Sequence, residues 1–185
     1  MRALTLIRTG LTRWFLTLGL LLGFAIPVQA GDIAPFIGDY LGSAEVVDVD
    51  GTATPRDMSV SISETKDGFN VSWATITYKA DGRVKESKYS VDFLPTDRSG
   101  IFSAAMRRNV FGHAVQLDPM KGEPFVWGRI DGDVLTVYSL FVDDQGGYEL
   151  QQFDRTLAEN GLNLSFSRLR NGEKARSVET FLQKQ

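Results

Sequence analysis

Apolar and polar side chains alternate one for one along several stretches of the chain. Met58, Val60 and Ile62 are interleaved with Ser59, Ser61 and Ser63; Tyr89, Val91 and Phe93 with Lys88, Ser90 and Asp92; Leu162, Leu164 and Phe166 with Asn163, Ser165 and Ser167. A period of two sends each set to one face of an extended chain, so each stretch predicts a half-buried β-strand. Slipping any of them by one residue would expose three large apolar groups, each worth about 1.5 to 3 kcal/mol when buried, which fixes the register.

Turn signals separate the alternating stretches: Asp50-Gly51, Asp67-Gly68, Asp81-Gly82, Ser99-Gly100, Asp131-Gly132, Gly146-Gly147, Asn160-Gly161 and Asn171-Gly172. Asn or Asp before Gly suits the primed turns of tight hairpins. Most intervals have room for one strand and a turn but not for a crossover helix. The pattern predicts strands at approximately 37–47, 56–64, 68–79, 83–94, 100–108, 124–130, 133–142, 147–157, 161–169 and 174–182. Residues 109–123 break the rhythm and read as a long loop, with a short strand at Ala114 to Leu117. The expected fold is all-β, a single antiparallel up-and-down meander of about 8–10 strands that closes into a barrel and so removes its exposed edges. A two-sheet sandwich shows many of the same alternations and is the alternative.

The first thirty residues differ in kind. Arg2, Arg8 and Arg13 precede an uncharged run from Trp14 to Val28, and Val28-Gln29-Ala30 offers small residues before Gly31. Fifteen helical residues rise about 22 Å, short of the ~30 Å hydrocarbon core, so the pattern predicts a cleaved secretory signal over 1–30 rather than a permanent span. The expected location is outside the cytoplasm, periplasmic in a Gram-negative source and otherwise extracellular, with 31–185 as one domain. An uncleaved anchor would hold the same domain on the same side.

Composition narrows the function classes. Residues 31–185 carry 17 basic and 23 acidic side chains, a net charge of −6, and that balance makes nucleic acid a poor partner. The chain has no cysteine, which removes disulfides, thiol catalysis and thiolate metal sites. The 155 residues suffice for one apolar core. His113 is the only histidine; a His-based triad or a multi-histidine metal site needs partners whose chemistry one imidazole does not supply, and a surface or loop histidine is its plainer role. Asp143 and Asp144 could supply oxygen ligands to a hard cation, but the alternating acids of a calcium loop are missing, which favours a solvated turn. No catalytic motif, metal site or cofactor signature stands out, and the domain reads as non-catalytic.

Phe36-Ile37-Gly38-Asp39-Tyr40-Leu41-Gly42 resembles the opening of lipocalin-like (calycin) barrels, where Gly-x-Trp begins the first strand; here Tyr40 stands at the tryptophan position. The resemblance implies an up-and-down barrel with a cavity at one end for a small apolar ligand. It also implies an arginine from a late strand over the ring of Tyr40, for which Arg168, Arg170 and Arg176 are candidates.

Phe69, Val71, Trp73, Thr75 and Thr77 share one strand face, apolar at one end and hydroxyl-bearing at the other, as a barrel with a packed base and a receptive mouth requires. Phe125, Trp127 and Arg129 form a second face of the same type, with Arg129 able to meet a carboxylate. The candidate ligand-binding residues are therefore Trp73, Thr75, Thr77, Tyr89, Trp127 and Arg129. Taken singly, Trp73 and Trp127 read more simply as core, and Arg129 as a surface cation. The expected function is an exported carrier or sensor of a small apolar or amphipathic ligand. The alternatives are an envelope structural or assembly protein acting through protein contacts at a sheet edge or the 109–123 loop, and a small outer-membrane barrel with apolar faces turned outward. Oligomeric state is not readable from these patterns.

Overall fold

The computed structural model describes residues 31–47 and 53–185; the secretory signal read in residues 1–30 and the Asp50-Gly51 turn lie outside the described residues. Twelve strands run through the described chain: β1 Gly38–Val47, β2 Ala53–Glu64, β3 Phe69–Tyr78, β4 Val84–Pro95, β5 Ile101–Ala104, β6 Arg107–Arg108, β7 Ala114–Val115, β8 Phe125–Asp131, β9 Val134–Val142, β10 Tyr148–Ala158, β11 Gly161–Arg170 and β12 Glu173–Lys184. Ten of them form a closed antiparallel up-and-down barrel in chain order, while β6 and β7 pair as a separate ribbon. The barrel prevails over the sandwich because β1 also pairs with β12, Tyr40 opposite Lys184 and Leu41 opposite Gln183.

Turn chemistry sets several of the hairpins. Asn171 and Gly172 both take positive φ, 50° and 85°, the conformation of a type I′ turn, and Asn160 takes φ 61° between β10 and β11. The alternation then selects the faces. Val60, Ile62, Phe69, Val71, Val91, Phe93, Leu162, Leu164 and Leu182 point inward and join one buried core. Outward positions on β2 to β4 include Ser59, Ser61, Ser63, Asn70, Ser72, Lys88, Ser90 and Asp92. A barrel embedded in lipid needs an apolar outer belt, so this polar face argues against the outer-membrane alternative.

One end of the barrel is plugged. A short 3-10 turn, Ala34–Phe36, drops the fully buried Phe36 into it, and the hydroxyl of Tyr40 donates to the Phe36 carbonyl at 2.7 Å. The cation over the Tyr40 ring is Lys184, 5.8 Å from the centroid, whose ammonium also donates to the Ile37 carbonyl at 2.8 Å. None of the three arginines that the Gly38-Asp39-Tyr40 resemblance nominates fills this place. Arg168, Arg170 and Arg176 flank the β11–β12 turn at the opposite end, because the strand order puts the last residues of β12, not its first, beside β1.

The fifth barrel strand is shorter than its sequence suggests. It ends at Ala104, after which Arg107–Arg108 pairs with Ala114–Val115 outside the barrel. The 109–123 segment is thus partly ordered: it holds the turn of that ribbon, the strand β7 and a 3-10 turn at Pro119–Lys121. Asp118 caps this turn by accepting from Met120 N at 3.0 Å, and Glu123 ties back to Arg107 and to Asp118 N. A second consequence concerns β4, which meets β5 only at Phe93, Leu94 and Pro95. From Val84 to Val91 its only ladder neighbour among the described residues is β3, and the barrel wall has a seam there.

Candidate ligand cavity

Strand direction divides the interior into two halves. Toward the plugged end the inward side chains are Phe36, Ile62, Phe69, Phe93, Leu135, Leu162 and Leu182, each no more than 1% exposed. Phe93 stacks on Phe69 at 5.1 Å, and Phe102 meets Phe69 edge-on at 4.9 Å. Gly128 makes room for this cluster: a Cβ there would lie 3.2 Å from the Phe93 ring. That half is filled.

The other half is hollow. A cavity of about 470 Å³ opens at the end that carries the β3–β4, β9–β10 and β11–β12 turns, within the usual range of small-molecule sites. Its apolar wall is made by Met58, Val60, Trp73, Phe153, Leu164, Phe166 and Val178. Trp73 stacks on Tyr89 at 5.3 Å and contacts Phe153 at 5.6 Å, while Phe153 meets Phe166 at 4.7 Å. Thr75, Thr77, Ser87 and Gln151 supply hydrogen-bonding groups nearer the mouth.

Among the described residues the charges of the lining are all of one sign. Arg56, Lys79, Lys85, Arg155, Arg168 and Arg176 line the cavity, and no Asp or Glu does so among the described residues. Arg168 shares Glu149 with Arg170, at 3.8 and 3.7 Å. Arg155 is different from the rest. It is 1% exposed, its guanidinium lies 5.8 Å from the Trp73 ring centroid and 5.6 Å from that of Phe153, and its Nε and Nη1 have no hydrogen-bond partner. The neighbouring Asp154 faces the other side of the sheet, where it accepts from Thr136 at 2.6 Å and from Gln152 at 2.7 Å. Burial pulls the Arg155 guanidinium down from its ordinary range to about 10, with the Asp154 charge opposing that pull. At neutral pH it is still a cation.

Of the residues singled out in the sequence, Trp73, Thr75, Thr77 and Tyr89 come together in this lining. Trp127 and Arg129 lie elsewhere. On β8 the inward positions are Val126, Gly128 and Ile130, so Trp127 is on the outer face, stacked on Tyr138 at 4.7 Å, and Arg129 pairs with Asp131. The guanidinium buried inside the barrel is that of Arg155, not Arg129. The pattern carried a signal for it: Arg155 stands between Phe153 and Leu157 at the inward spacing of β10.

The other candidates sit outside the cavity. The backbone N–H of His113 donates to Asn109 Oδ1 in the exposed turn of the β6–β7 ribbon. Asp143 Oδ1 accepts from Gln145 N and Gly147 N, at 3.0 and 2.8 Å, and so closes the β9–β10 turn. Among the described residues no cluster of three or more His, Asp or Glu is placed to hold a metal ion.

No family model matches the sequence, and no curated protein matches it. A solved structure from Nitrosomonas europaea, assigned as an AttH protein, is similar over 85% of this chain at 10% identity, with a TM-score of 0.26. The chain spans 55% of the length of that protein. A likeness this distant carries no argument about function.

Proposed function

We propose that the chain is an exported, non-catalytic binding protein, a carrier or sensor that holds a small apolar or amphipathic molecule in the open half of its barrel. The single observation behind this reading is the contrast inside one barrel: a base filled by fully buried aromatic and aliphatic side chains and a mouth half left hollow, lined by aromatic rings, hydroxyls and cations. Interiors ordinarily pack to crystal-like density, and a lined void of this size forgoes contacts that a guest would restore. Export rests on the charged and apolar pattern of residues 1–30. The expected mature chain begins at Gly31, which the mass of the protein recovered from its native envelope will show.

The two tryptophans of the domain provide the binding test. Trp73 lines the cavity and Trp127 stacks on the outer wall. Titration with a fluorescent apolar probe is expected to perturb tryptophan emission in the wild type and in Trp127→Phe, but not in Trp73→Phe. A response that follows Trp127 would place the guest outside the barrel and overturn the reading.

A second reading has one observation in its favour. Val110 and Phe111, at the turn of the β6–β7 ribbon, are 94% and 81% exposed, and exposed apolar tips of this kind often mark contacts with other molecules. An envelope assembly role through this ribbon predicts that Val110→Ser with Phe111→Ser abolishes capture of a partner while leaving probe binding intact.

A further inference from the structure

We propose that the ligand is an amphipathic carboxylic acid, bound with its carboxylate inward on Arg155 and its apolar body along Trp73, Phe153 and Phe166. This assignment rests on the hollow half being a ligand site and names the chemistry of the occupant. A guanidinium removed from water keeps its desolvation cost unless an anion and hydrogen bonds offset it. Two of the three Arg155 nitrogens are unpartnered, and the acid next to it in sequence, Asp154, bonds on the opposite face of the sheet. The company of Arg155 is aromatic, Trp73 and Phe153. Both rings attract a cation but supply no acceptor lone pair in its plane. The group that completes this surrounding is an anion small enough to sit among aromatic side chains.

The depth of Arg155 selects the orientation. It lies four residues along β10 from Gln151 at the mouth, about 13 Å of strand. A carboxylate held at the rim would meet Lys79 and Lys85, hydrated cations whose pairing is worth little. On Arg155 the same charge interacts in a drier and less polarisable place, where attraction is several times stronger. Rim and base then have different tasks. The outer cations draw an anion toward the mouth at a rate sensitive to salt, and Arg155 retains it.

The test compares decanoate, decanol and decylamine, probes of one chain length, by calorimetric titration of the mature protein and of its Arg155→Met and Arg155→Lys variants. The wild type is expected to bind decanoate about ten to a hundred times more tightly than decanol, the range of a charged hydrogen bond in a buried site, and decylamine most weakly. Arg155→Met is expected to bind decanoate no better than decanol, with Arg155→Lys between. Exchanging Lys79 and Lys85 for Gln is expected to slow association without removing the preference for the acid. Equal affinities for acid and alcohol in the wild type overturn the assignment, as does a preference that survives Arg155→Met. Binding of none of the three overturns instead the reading of the cavity as a ligand site. Should a variant fail to fold, carboxyl-labelled decanoate on the wild type decides by carbon NMR. A bound carboxyl that titrates well below the free acid supports the pairing with Arg155, and one that titrates at the free value refutes it.

Discussion

The two halves belong to one barrel, yet one is solid and the other hollow. Inward positions near the plug carry Phe36, Phe69, Phe93, Leu135 and Leu182, which interdigitate. The same parity, followed toward the mouth, brings Arg56 after Met58 on β2, Thr75 and Thr77 after Trp73 on β3, Lys85 and Ser87 beyond Tyr89 on β4, and Arg168 after Phe166 on β11. Long cations cannot collapse on one another, since each needs solvent or an anion around its head. Alternation decides which way a side chain points, and the chemistry at the inward positions decides whether the space they share is filled.

The largest effect expected from this contrast is on stability. Phe93→Ala removes a ring from the solid half and should lower the unfolding free energy by about 3 to 5 kcal/mol, whereas Phe166→Ala, half-buried against a void, should cost about half of that or less. Urea denaturation of both variants checks the difference, and equal costs would erase the distinction between the halves. Arg155 should act with the opposite sign. Replacing an unpaired buried cation by an apolar side chain of similar length is expected to stabilise the ligand-free barrel by about 1 to 3 kcal/mol, so Arg155→Met should bind acids poorly and unfold at higher urea. Lower stability in that variant would mean that the guanidinium is satisfied inside the empty protein.

The pH dependence follows from the same group. Its folded value, about 10, lies well below the ordinary guanidinium range. Between the two the unfolded chain holds more protons, so wild-type stability gains from this site as pH rises through about 10. Tyr40 and Tyr78 act the other way. Burial foremost raises the first and its hydrogen bond to Asp57 foremost the second, so each contributes stability that is lost as the folded hydroxyl ionises at high pH. Comparing wild type with Arg155→Met cancels the tyrosines, and the advantage of the variant should shrink above about pH 10. The smallest effect is expected at the plug. Lys184→Met, which removes the cation over Tyr40 and a bond to the Ile37 carbonyl, should cost about 1 kcal/mol or less by thermal melting.

Much of the barrel was legible because period two and the Asp-Gly and Asn-Gly turns agree with each other. The length of β5 was not, since Arg107 and Arg108 have a choice of partners, and Ala114–Val115 wins over β4 and β8. The face of β8 was not legible either. Phe125 and Trp127 are as apolar as Val126 and Ile130, and the inward Gly128 has no side chain to declare its side. On β3 the contrast between Trp73 and the flanking Ser72 and Ala74 left less doubt. Arg155 was hidden because a cation on an apolar strand face contradicts the rule that finds the strand, and such contradictions are where function tends to sit.

The seam beside β4 bears on how fast an occupant comes and goes. Because β5 stops at Ala104, the stretch Val84–Val91 is held in the ladder by β3 alone among the described residues, with no pairing to break on its other side. Exchange of the proposed guest would then not wait for global opening, and its dwell time would reflect its own grip on the walls. Deuterium should enter first at the alternate amides of this stretch that point away from β3.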